Sequence, residues 1–304
     1  MAAALTAAKH GLSTVVLEKA GHYGGSTARS GGGVWIPNNE ALRRSGVRDT
    51  PEAARSYLHS IIGDVVPPEK IDTYLERGPE ALAFVLANSP LQLRWVPEYS
   101  DYYPEAPGGR VGGRSVEPKP FNGKKLGAEL ALLEPPYGKA PLNVAVTQAD
   151  FRWATLMMRH PRGVLRVLRI GLRWIFAMLT GKRLLVMGQA LIAGLRIGLR
   201  DAGVPVLLNT ALEDLCVEDD RVSGVVVTLS EEGGGQRIVR ARRGVVLAAG
   251  GFEHNAAMRQ EYQRAPIGSD WTVGATANTG DAILAGERVG GVLELMDDAW
   301  WGPS

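Results

Sequence analysis

The residues of this sequence that could bind a ligand begin with an acid at the end of a predicted strand. Glu18 closes the β-branched run 13–17, where a nucleotide-binding βαβ unit places the carboxylate that accepts hydrogen bonds from an adenosine ribose. Glycines and small hydroxyl side chains follow, so the backbone there can closely approach a phosphate or a flat ring. These are Gly24, Gly25, Ser26, Thr27, Ser30, Gly31, Gly32 and Gly33. The pattern predicts a dinucleotide site, with an ordinary αβ connection and a flexible glycine tail as the alternative.

Two later segments repeat the small-residue pattern. Residues 245–251 (VVLAAGG) are apolar and then very small, which predicts a strand whose end lies against a bound pyrophosphate or adenine. Residues 274–281 (GATANTGD) end in Asp281 at the start of a predicted helix. Asp281 either only caps this helix or also orients the cofactor, and both interpretations stay open.

A βαβ unit is the element that brings such residues to one edge of a sheet. Residues 2–10 predict a helix packed closely on a sheet, with Gly11 as its left-handed stop and 13–17 as a buried parallel strand. Thr50 and Pro51 predict the start of a helix, and further helices are predicted over 68–87 and 188–202. Residues 204–251 predict a small β-meander that returns to the main sheet.

Both ends of the sequence interrupt a pattern. The strand and GxGxxG turn that normally precede the first helix of such a unit are absent before Met1, so we expect a late start codon or a gene fragment. Trp300 and Trp301 stand next to each other near the other end. Exposed paired indoles are costly, which favours further chain that covers them.

Composition indicates a globular protein and excludes several classes. The 304 residues are 45% hydrophobic, with 38 glycines and a net charge of +2. Cys216 is the only cysteine, which excludes an internal disulfide framework and a thiolate metal cluster, and the five histidines lack ligand spacing. We therefore expect no metal. Since the start does not resemble an export signal, we expect a cytoplasmic location.

Residues 91–141 are rich in proline, glycine and aromatic side chains with little periodicity. So long a segment without regular structure is usually functional or disordered, and its aromatic residues argue against disorder. They are Trp95, Tyr99, Tyr102, Tyr103, Phe121 and Tyr137. The composition predicts loops packed around something apolar, with a surface excursion anchored by its aromatic residues as the alternative.

Residues 151–200 contain ten basic side chains and no acid. Arg166, Arg169 and Arg173 fall on one face of a predicted helix with large apolar residues around them. The arginines are too frequent for a bilayer span, but such a helix over 160–200 could lie on an anionic membrane surface where lipophilic substrates partition. A solvated helix of a large domain is the alternative. No motif accompanies the charge that would indicate nucleic-acid binding.

Five segments together resemble the 3-ketosteroid Δ1-dehydrogenases, which are flavoproteins of the fumarate reductase and succinate dehydrogenase superfamily. The glycine-rich segments, such as VVLAAGGFEHNAAMR and ANTGDAILAGERVGG, identify the superfamily. SGGGVWIPNN, DYYPE and DDAWWGP are closer to the steroid enzymes. The resemblance runs through the whole chain and implies FAD, a 3-ketosteroid substrate, a hydride from C1 to the flavin and a C2 proton to a tyrosine base. It does not indicate the electron acceptor.

The resemblance also implies roles for particular residues. Tyr102 matches a tyrosine of the family's catalytic set, and Tyr103 is its neighbour. Glu18 is expected at the adenosine ribose, Ala211 near the adenine, and Ser30, Gly31 and Gly32 facing the flavin. The complete set expected to bind FAD is Glu18, Lys19, Gly24, Gly25, Ser26, Thr27, Ser30, Gly31, Gly32, Ala211, Ala249, Gly250, Gly251, Asn278, Thr279 and Asp281.

These observations predict an α/β, Rossmann-like FAD-binding domain over residues 1–262 that lacks its first strand and glycine turn. Helical and loop insertions and a small β-meander belong to it, and residues 263–304 begin a second, catalytic domain. Because the family's other catalytic tyrosines would lie beyond Ser304, we expect the chain alone to be inactive or nearly so. The alternatives are a 3-ketosteroid Δ4-dehydrogenase, a fumarate-reductase-like enzyme, or a non-catalytic fragment that binds a partner or a membrane.

Overall fold

The computed structural model describes residues 1–138, 144–230 and 234–299, in which helices and short strands form an α/β arrangement. The α-helices are α1 (Ala2–Lys9), α2 (Gly25–Arg29), α3 (Glu40–Arg44), α4 (Pro51–Ile62), α5 (Pro68–Ala87), α6 (Gln148–Ala154), α7 (Pro161–Leu179), α8 (Met187–Asp201), α9 (Ala256–Tyr262) and α10 (Asp281–Arg288). The strands are β1 (Val16–Leu17), β2 (Val34–Trp35), β3 (Leu93–Trp95), β4 (Ser115–Pro118), β5 (Phe121–Asn122), β6 (Leu184–Leu185), β7 (Val206–Leu207), β8 (Thr210–Glu218), β9 (Arg221–Leu229) and β10 (Gln236–Arg240). Two 3₁₀ segments cover Gly63–Val65 and Gly123–Leu132.

The predicted helices are confirmed, because their local signals are satisfied. The Thr50 hydroxyl accepts a hydrogen bond from the Ala53 amide at 3.1 Å, and Pro51 occupies the first position of α4. Gly11 follows α1 with φ of +80°, the left-handed conformation expected of a helix stop. Helices α5 and α8 occupy their predicted positions to within one residue.

The parallel pairing predicted for the first strand is present but short. Strand β1 pairs with β7 in parallel, Val16 opposite Val206 and Leu17 opposite Leu207. The prediction of a buried strand over all of 13–17 is wrong, since Val15 is exposed and Ser13 to Val15 have no ladder partner among the described strands. The Glu18 amide continues the pairing by donating to the Leu207 carbonyl at 2.8 Å, which places Glu18 at the carboxyl end of β1.

The β-meander is confirmed as an antiparallel sheet of order β10-β9-β8. Its predicted continuation as a strand over 245–249 is wrong. Residues 245–251 contain no strand, and Val246 is 73% exposed. A strand needs a neighbour to satisfy its N–H and C=O groups, and none of the described strands pairs with this segment.

Helix α8 is the central packing element. Its buried alanine and isoleucine side chains, including Ala190 and Ile197, pack with Ala28 of α2 and with Leu126. Glycines bring its backbone close to its neighbours: a Cβ at Gly194 would lie 2.9 Å from the Leu91 Cβ. Residues 24–33 were predicted as a loop, but α2 lies inside this segment, and its packing against α8 fixes the segment on the body of the protein.

Some aromatic side chains of the segment 91–138 are packed in the core, and others are exposed to solvent. Phe121 packs in the core beside α8, and Trp95 packs on the cluster that contains Leu93 and Val116. Tyr102, Tyr103 and Tyr137 are instead more than half exposed. The prediction of loops packed around something apolar therefore holds for part of the segment, and residues 139–141 lie outside the described residues.

In the described part of the chain, no helix combines the length and the apolar character needed to cross a bilayer. Helix α7 nevertheless does not have the surface of an ordinary solvated helix, because Leu168 and Leu172 point to solvent while Arg166 and Arg173 bind a buried acid.

Candidate functional site

Glu18 lies at the edge where the two parallel strands end. Its carboxylate accepts a hydrogen bond from the Ala20 amide at 3.0 Å, and its carbonyl accepts one from the Thr210 amide at 2.9 Å. Burial raises the pKa of Glu18, and the Ala20 N–H partly opposes this shift. Ala211 adjoins Thr210, so the structure brings this predicted adenine contact to the same edge.

Lys19 joins the end of β1 to the start of α10. Its ammonium donates to the Thr279 hydroxyl at 2.6 Å and to the Asp281 carboxylate at 2.8 Å. Thr279 also donates to Asp281 at 2.7 Å. Asp281 is the first residue of α10, and the cap position belongs to Gly280, so the interpretation of Asp281 as only a helix cap is wrong. Three predicted site residues from opposite ends of the chain thus form one cluster.

Ser26 is the centre of a second cluster. Its hydroxyl accepts hydrogen bonds from the Ala275 amide and the Asn278 side chain, both at 2.9 Å. The Asn278 amide also donates to the Glu253 carboxylate at 2.7 Å. Glu253 was not predicted. Its position as the first acid after the small residues 248–251 was the available signal.

Glycines in both clusters occupy places where a side chain would not fit. A Cβ on Gly250, whose φ is +81°, would lie 2.8 Å from the Asn278 side-chain oxygen. The Gly280 amide donates to the Gly251 carbonyl at 3.0 Å, which ties these glycines to the α10 start. Ala249 is exposed beside them. The backbone of 249–251 is therefore held against Asn278 without side chains in between, as close approach to a phosphate requires.

The loop 30–33 is equally constrained. Gly32 has φ of +67°, and a Cβ there would lie 2.6 Å from the Gly188 amide nitrogen. The Gly188 amide donates to the Ser30 carbonyl at 3.0 Å, so α8 begins directly on this loop. A Cβ on Gly25, by contrast, would meet nothing within 4 Å. Within the predicted cofactor-binding segment, Gly32 therefore has no room for a side chain beside α8, whereas Gly25 faces open space.

Gln148 was missed by sequence reasoning. A Cβ on Gly31 would lie 2.7 Å from the side-chain nitrogen of Gln148. The Gln148 side-chain amide therefore covers the glycines that were predicted to face a flavin. The Gln148 side-chain oxygen is buried and has no hydrogen-bond partner. A buried polar atom without a partner is costly, and it is a place where a ligand donor would fit.

Glu117 and Arg94 hold Gln148 in place. The Gln148 backbone amide donates to Glu117 at 2.7 Å, and Glu117, which is fully buried, forms an ion pair with Arg94 at 2.6 Å. Thr147 and Asp150 form a capping box at the start of α6. The side chain of Gln148 is thus positioned by the strands β3 and β4 as well as by its own helix.

Tyr102 lies in a loop that a buried arginine secures. The neighbouring Asp101 accepts hydrogen bonds from Trp35 Nε1 at 2.9 Å and from the Arg114 guanidinium. Trp35 belongs to β2, which directly follows the glycine loop, so Asp101 ties the tyrosine loop to the cofactor loop.

The hydroxyl of Tyr102 shares a hydrogen bond with that of Tyr99. Burial and this hydrogen bond together raise the pKa of Tyr99 to about 12. A raised value is expected when the Tyr99 hydroxyl is the donor, because the neutral phenol is then favoured. Tyr102 is 61% exposed and therefore accessible to a substrate.

The described residues fit an FAD molecule. They supply an acid at a strand end, a glycine-rich segment, small hydroxyl groups and a buried amide oxygen that lacks a partner. Within the same described ranges, no group of three or more histidine, cysteine, aspartate or glutamate residues is placed to hold a metal ion.

Comparison with known proteins agrees with this geometry. The family described as FAD binding domain matches residues 1–304. A 3-oxosteroid 1-dehydrogenase of Mycolicibacterium smegmatis is 66% identical over 306 residues, which cover 100% of this chain and 54% of that protein. A 3-oxosteroid 1-dehydrogenase of Comamonas testosteroni is 33% identical over 87% of this chain and 47% of its own length. The chain thus spans about half the length of the curated relatives it matches.

Among solved structures, the 3-ketosteroid Δ1-dehydrogenase of Sterolibacterium denitrificans in complex with 1,4-androstadiene-3,17-dione matches with a TM-score of 0.90 and 37% identity. The match covers 100% of this chain and 55% of that one. The 3-ketosteroid Δ4-(5α)-dehydrogenase of Rhodococcus jostii matches with a TM-score of 0.64 and 21% identity over 97% of this chain and 52% of that one, which shows a shared fold.

Proposed function

The chain belongs to the FAD-binding domain family, and we propose that it serves the FAD-dependent Δ1-dehydrogenation of 3-ketosteroids. The observation that supports the proposal is that Lys19 hydrogen-bonds to Asp281 and Ser26 to Asn278, so expected cofactor residues from distant parts of the chain lie together. The 66% identity with a 3-oxosteroid 1-dehydrogenase over the whole chain supports the choice of reaction.

The cofactor is FAD, and we propose that different parts of the site hold different parts of it. Glu18 would accept hydrogen bonds from the adenosine ribose, and the backbone of 24–27 and 249–251 would hold the pyrophosphate and ribityl region. The glycines 31–33 and Gln148 would face the flavin ring. When bound, FAD supplies the acceptor for the hydride equivalent that leaves the steroid.

Desaturation between C1 and C2 also removes a proton from C2. We assign Tyr102 to the tyrosine set that handles this proton, because it is accessible and its hydroxyl is hydrogen-bonded to Tyr99. Burial and this hydrogen bond raise the pKa of Tyr99 to about 12, so its neutral hydroxyl is the expected donor to the Tyr102 oxygen and would hold Tyr102 in position.

The substrate class in this proposal is a 3-ketosteroid, as in the ligand-bound relative from Sterolibacterium denitrificans. Steroids are largely hydrocarbon and partition into lipid. The proposal therefore includes a cytoplasmic enzyme that meets its substrate at a membrane surface.

Flavin spectroscopy on the purified chain tests the proposal. After reconstitution with FAD, the protein is expected to retain the absorption near about 450 nm. Because the chain spans about half the length of its curated relatives, anaerobic androst-4-ene-3,17-dione is expected to leave this flavin oxidised or nearly so. Clear bleaching with formation of the 1,4-diene would overturn that expectation. A chain that retains no flavin would refute cofactor binding. In a full-length version the expected product is the 1,4-diene, and a product with a different new double bond would favour the Δ4 alternative.

A further inference from the structure

The side-chain amide of Gln148 lies across two of the glycines in the segment that is predicted to face a flat ring. A Cβ on Gly31 would lie 2.7 Å from the Gln148 side-chain nitrogen, and a Cβ on Gly33 would lie 3.4 Å from the Gln148 side-chain oxygen. The nitrogen of the amide is thus nearest to Gly31 and the oxygen is near Gly33. Both polar atoms stand beside a backbone that has no side chains of its own at these two positions.

The oxygen of this amide is buried and accepts no hydrogen bond in the described part of the chain. A buried acceptor without a donor costs about 1–3 kcal/mol. The backbone that carries it is nevertheless firmly held, because the buried Glu117 carboxylate accepts hydrogen bonds from the amides of Gln148 at 2.7 Å and Ala149 at 3.4 Å. Glu117 is in turn paired with Arg94 at 2.6 Å. The fold therefore keeps a partnerless acceptor beside the glycines, which indicates a ligand that supplies the donor.

The chemistry of an oxidised flavin limits where that donor is. Its ring system has a single N–H group, at N3 of the pyrimidine part, and a carbonyl group stands on each side of it. A glutamine side chain presents one acceptor and two donor hydrogens next to each other. The oxygen of Gln148 can therefore accept from N3–H while its nitrogen donates to a flanking carbonyl. The remainder of the ring system offers no N–H group to this oxygen.

A water molecule is the alternative donor. Gln148 borders a cavity of about 40 Å³, which Tyr99 and Trp153 also line. A cavity needs about 10–15 Å³ to hold one water molecule, so this one is large enough. Water would satisfy the oxygen with or without a flavin. The two donors are distinguishable, because only the flavin N–H can be removed by chemical modification of the flavin.

We infer that Gln148 recognises the pyrimidine edge of the flavin, its side-chain oxygen accepting a hydrogen bond from N3–H and its nitrogen donating to an adjacent ring carbonyl. The inference rests on the proposed function, which places Gln148 at the ring but names no atom of it. It adds that the pyrimidine edge is held beside Gly31 and Gly33. Gln148 thereby fixes the orientation of the ring within its own plane.

Titration with FAD and with 3-methyl-FAD, in which a methyl group replaces the N3 hydrogen, tests the inference. Binding is followed by the quenching of tryptophan fluorescence. The test variant is Gln148→Leu, and the matched control is Gln92→Leu, at an exposed glutamine. The unsubstituted chain and the control are expected to bind 3-methyl-FAD at least about tenfold more weakly than FAD, because the buried oxygen then lacks its donor. Gln148→Leu is expected to bind both flavins with affinities within about twofold of each other.

Leucine has about the size of glutamine, so this variant also controls for steric exclusion of the methyl group. A tenfold preference for FAD that persists in Gln148→Leu would overturn the inference, because a clash or another partner of N3–H would then be its cause. Equal binding of both flavins by the unsubstituted chain would overturn it too, and would leave water as the partner of the oxygen.

Nuclear magnetic resonance of bound FAD that carries an isotope label at N3 gives a second measurement. The N3–H signal is expected in the complex of the unsubstituted chain and is expected to disappear by exchange with water in Gln148→Leu. Signals that are identical in both complexes would contradict the inference. A chain that binds neither flavin would refute the proposed cofactor binding and this inference with it, whereas a chain that binds FAD without discrimination refutes the inference alone.

Discussion

Replacing Arg114 is expected to unfold the tyrosine loop and to destabilise the whole chain. The Arg114 side chain is fully buried between two carboxylates that are themselves no more than 2% exposed. It contacts Asp49 through two nitrogens, at 2.8 and 3.0 Å, and Asp101 through a third. It also donates to the Gly108 carbonyl at 2.8 Å, within the loop that carries Tyr102.

The magnitude follows from what remains after the substitution. In Arg114→Met the two buried carboxylates face each other without their shared cation, and breaking a buried pair in this way costs about 3–5 kcal/mol. Since m is about 3 kcal/mol per M in urea at the upper end of the small-protein range, the unfolding midpoint is expected to fall by about 1 M or more. The midpoint of Arg114→Lys is expected to lie between those of Arg114→Met and the unsubstituted chain, because lysine keeps the charge but loses the two-nitrogen contact with Asp49.

Urea unfolding followed by circular dichroism measures this shift, and hydrogen exchange of residues 101–113 reports the loop. The control is Arg77→Met, which removes an arginine from an exposed ion pair with Glu80 and is expected to leave the midpoint unchanged. The triple variant Arg114→Met/Asp49→Asn/Asp101→Asn is expected to recover part of the loss, because no buried charge remains unpaired. An Arg114→Met midpoint equal to that of the Arg77 control would refute the reasoning.

Three further predictions concern the cofactor site and α7. Gln148→Leu is expected to leave the free chain as stable or more stable, because the partnerless buried oxygen disappears, and to weaken FAD binding about tenfold in a fluorescence titration; unchanged affinity would exclude Gln148 from the flavin site. Gly32→Ala is expected to cost about 1–3 kcal/mol and to lose FAD, through its positive φ and its contact with α8, whereas Gly46→Ala, at a similar φ in open space, should lose less stability and keep the flavin. Burial raises the pKa of Asp150, but hydrogen bonds from Arg173 and Thr147 outweigh it and hold the pKa below its usual value. The ionised Asp150 carboxylate therefore contributes fully to the free energy of unfolding above about pH 4, the ordinary aspartate pKa, and this contribution is lost as the pH falls further. Asp150→Asn should lower the free energy of unfolding by about 2–3 kcal/mol at pH 7. It should also reduce the loss of stability at acid pH, measured by urea unfolding at a series of pH values.

Local signals in the sequence were sufficient for most helices and for the type of cofactor. Thr50 and Pro51 determine the start of α4 by a hydrogen bond and a fixed φ within four residues of each other. The acid at the end of β1 and the glycine-rich segment after it also indicate a dinucleotide from local sequence, since the two are neighbours along the chain. Such features depend on neighbours along the chain and can be predicted from them.

Contacts between distant segments were decided only by the tertiary structure. Glu253 enters the site through Asn278, and Gln148 covers Gly31 from more than a hundred residues away, so neither position follows from its own surroundings in sequence. The segment 245–249 has the composition of a strand, but strand formation requires a hydrogen-bonded partner, and none of the described strands provides one. The sequence also does not determine which face of α7 packs on the protein. Its periodicity defines an apolar face and a basic face, and the buried carboxylate of Asp150 determines that Arg166 and Arg173 turn inward.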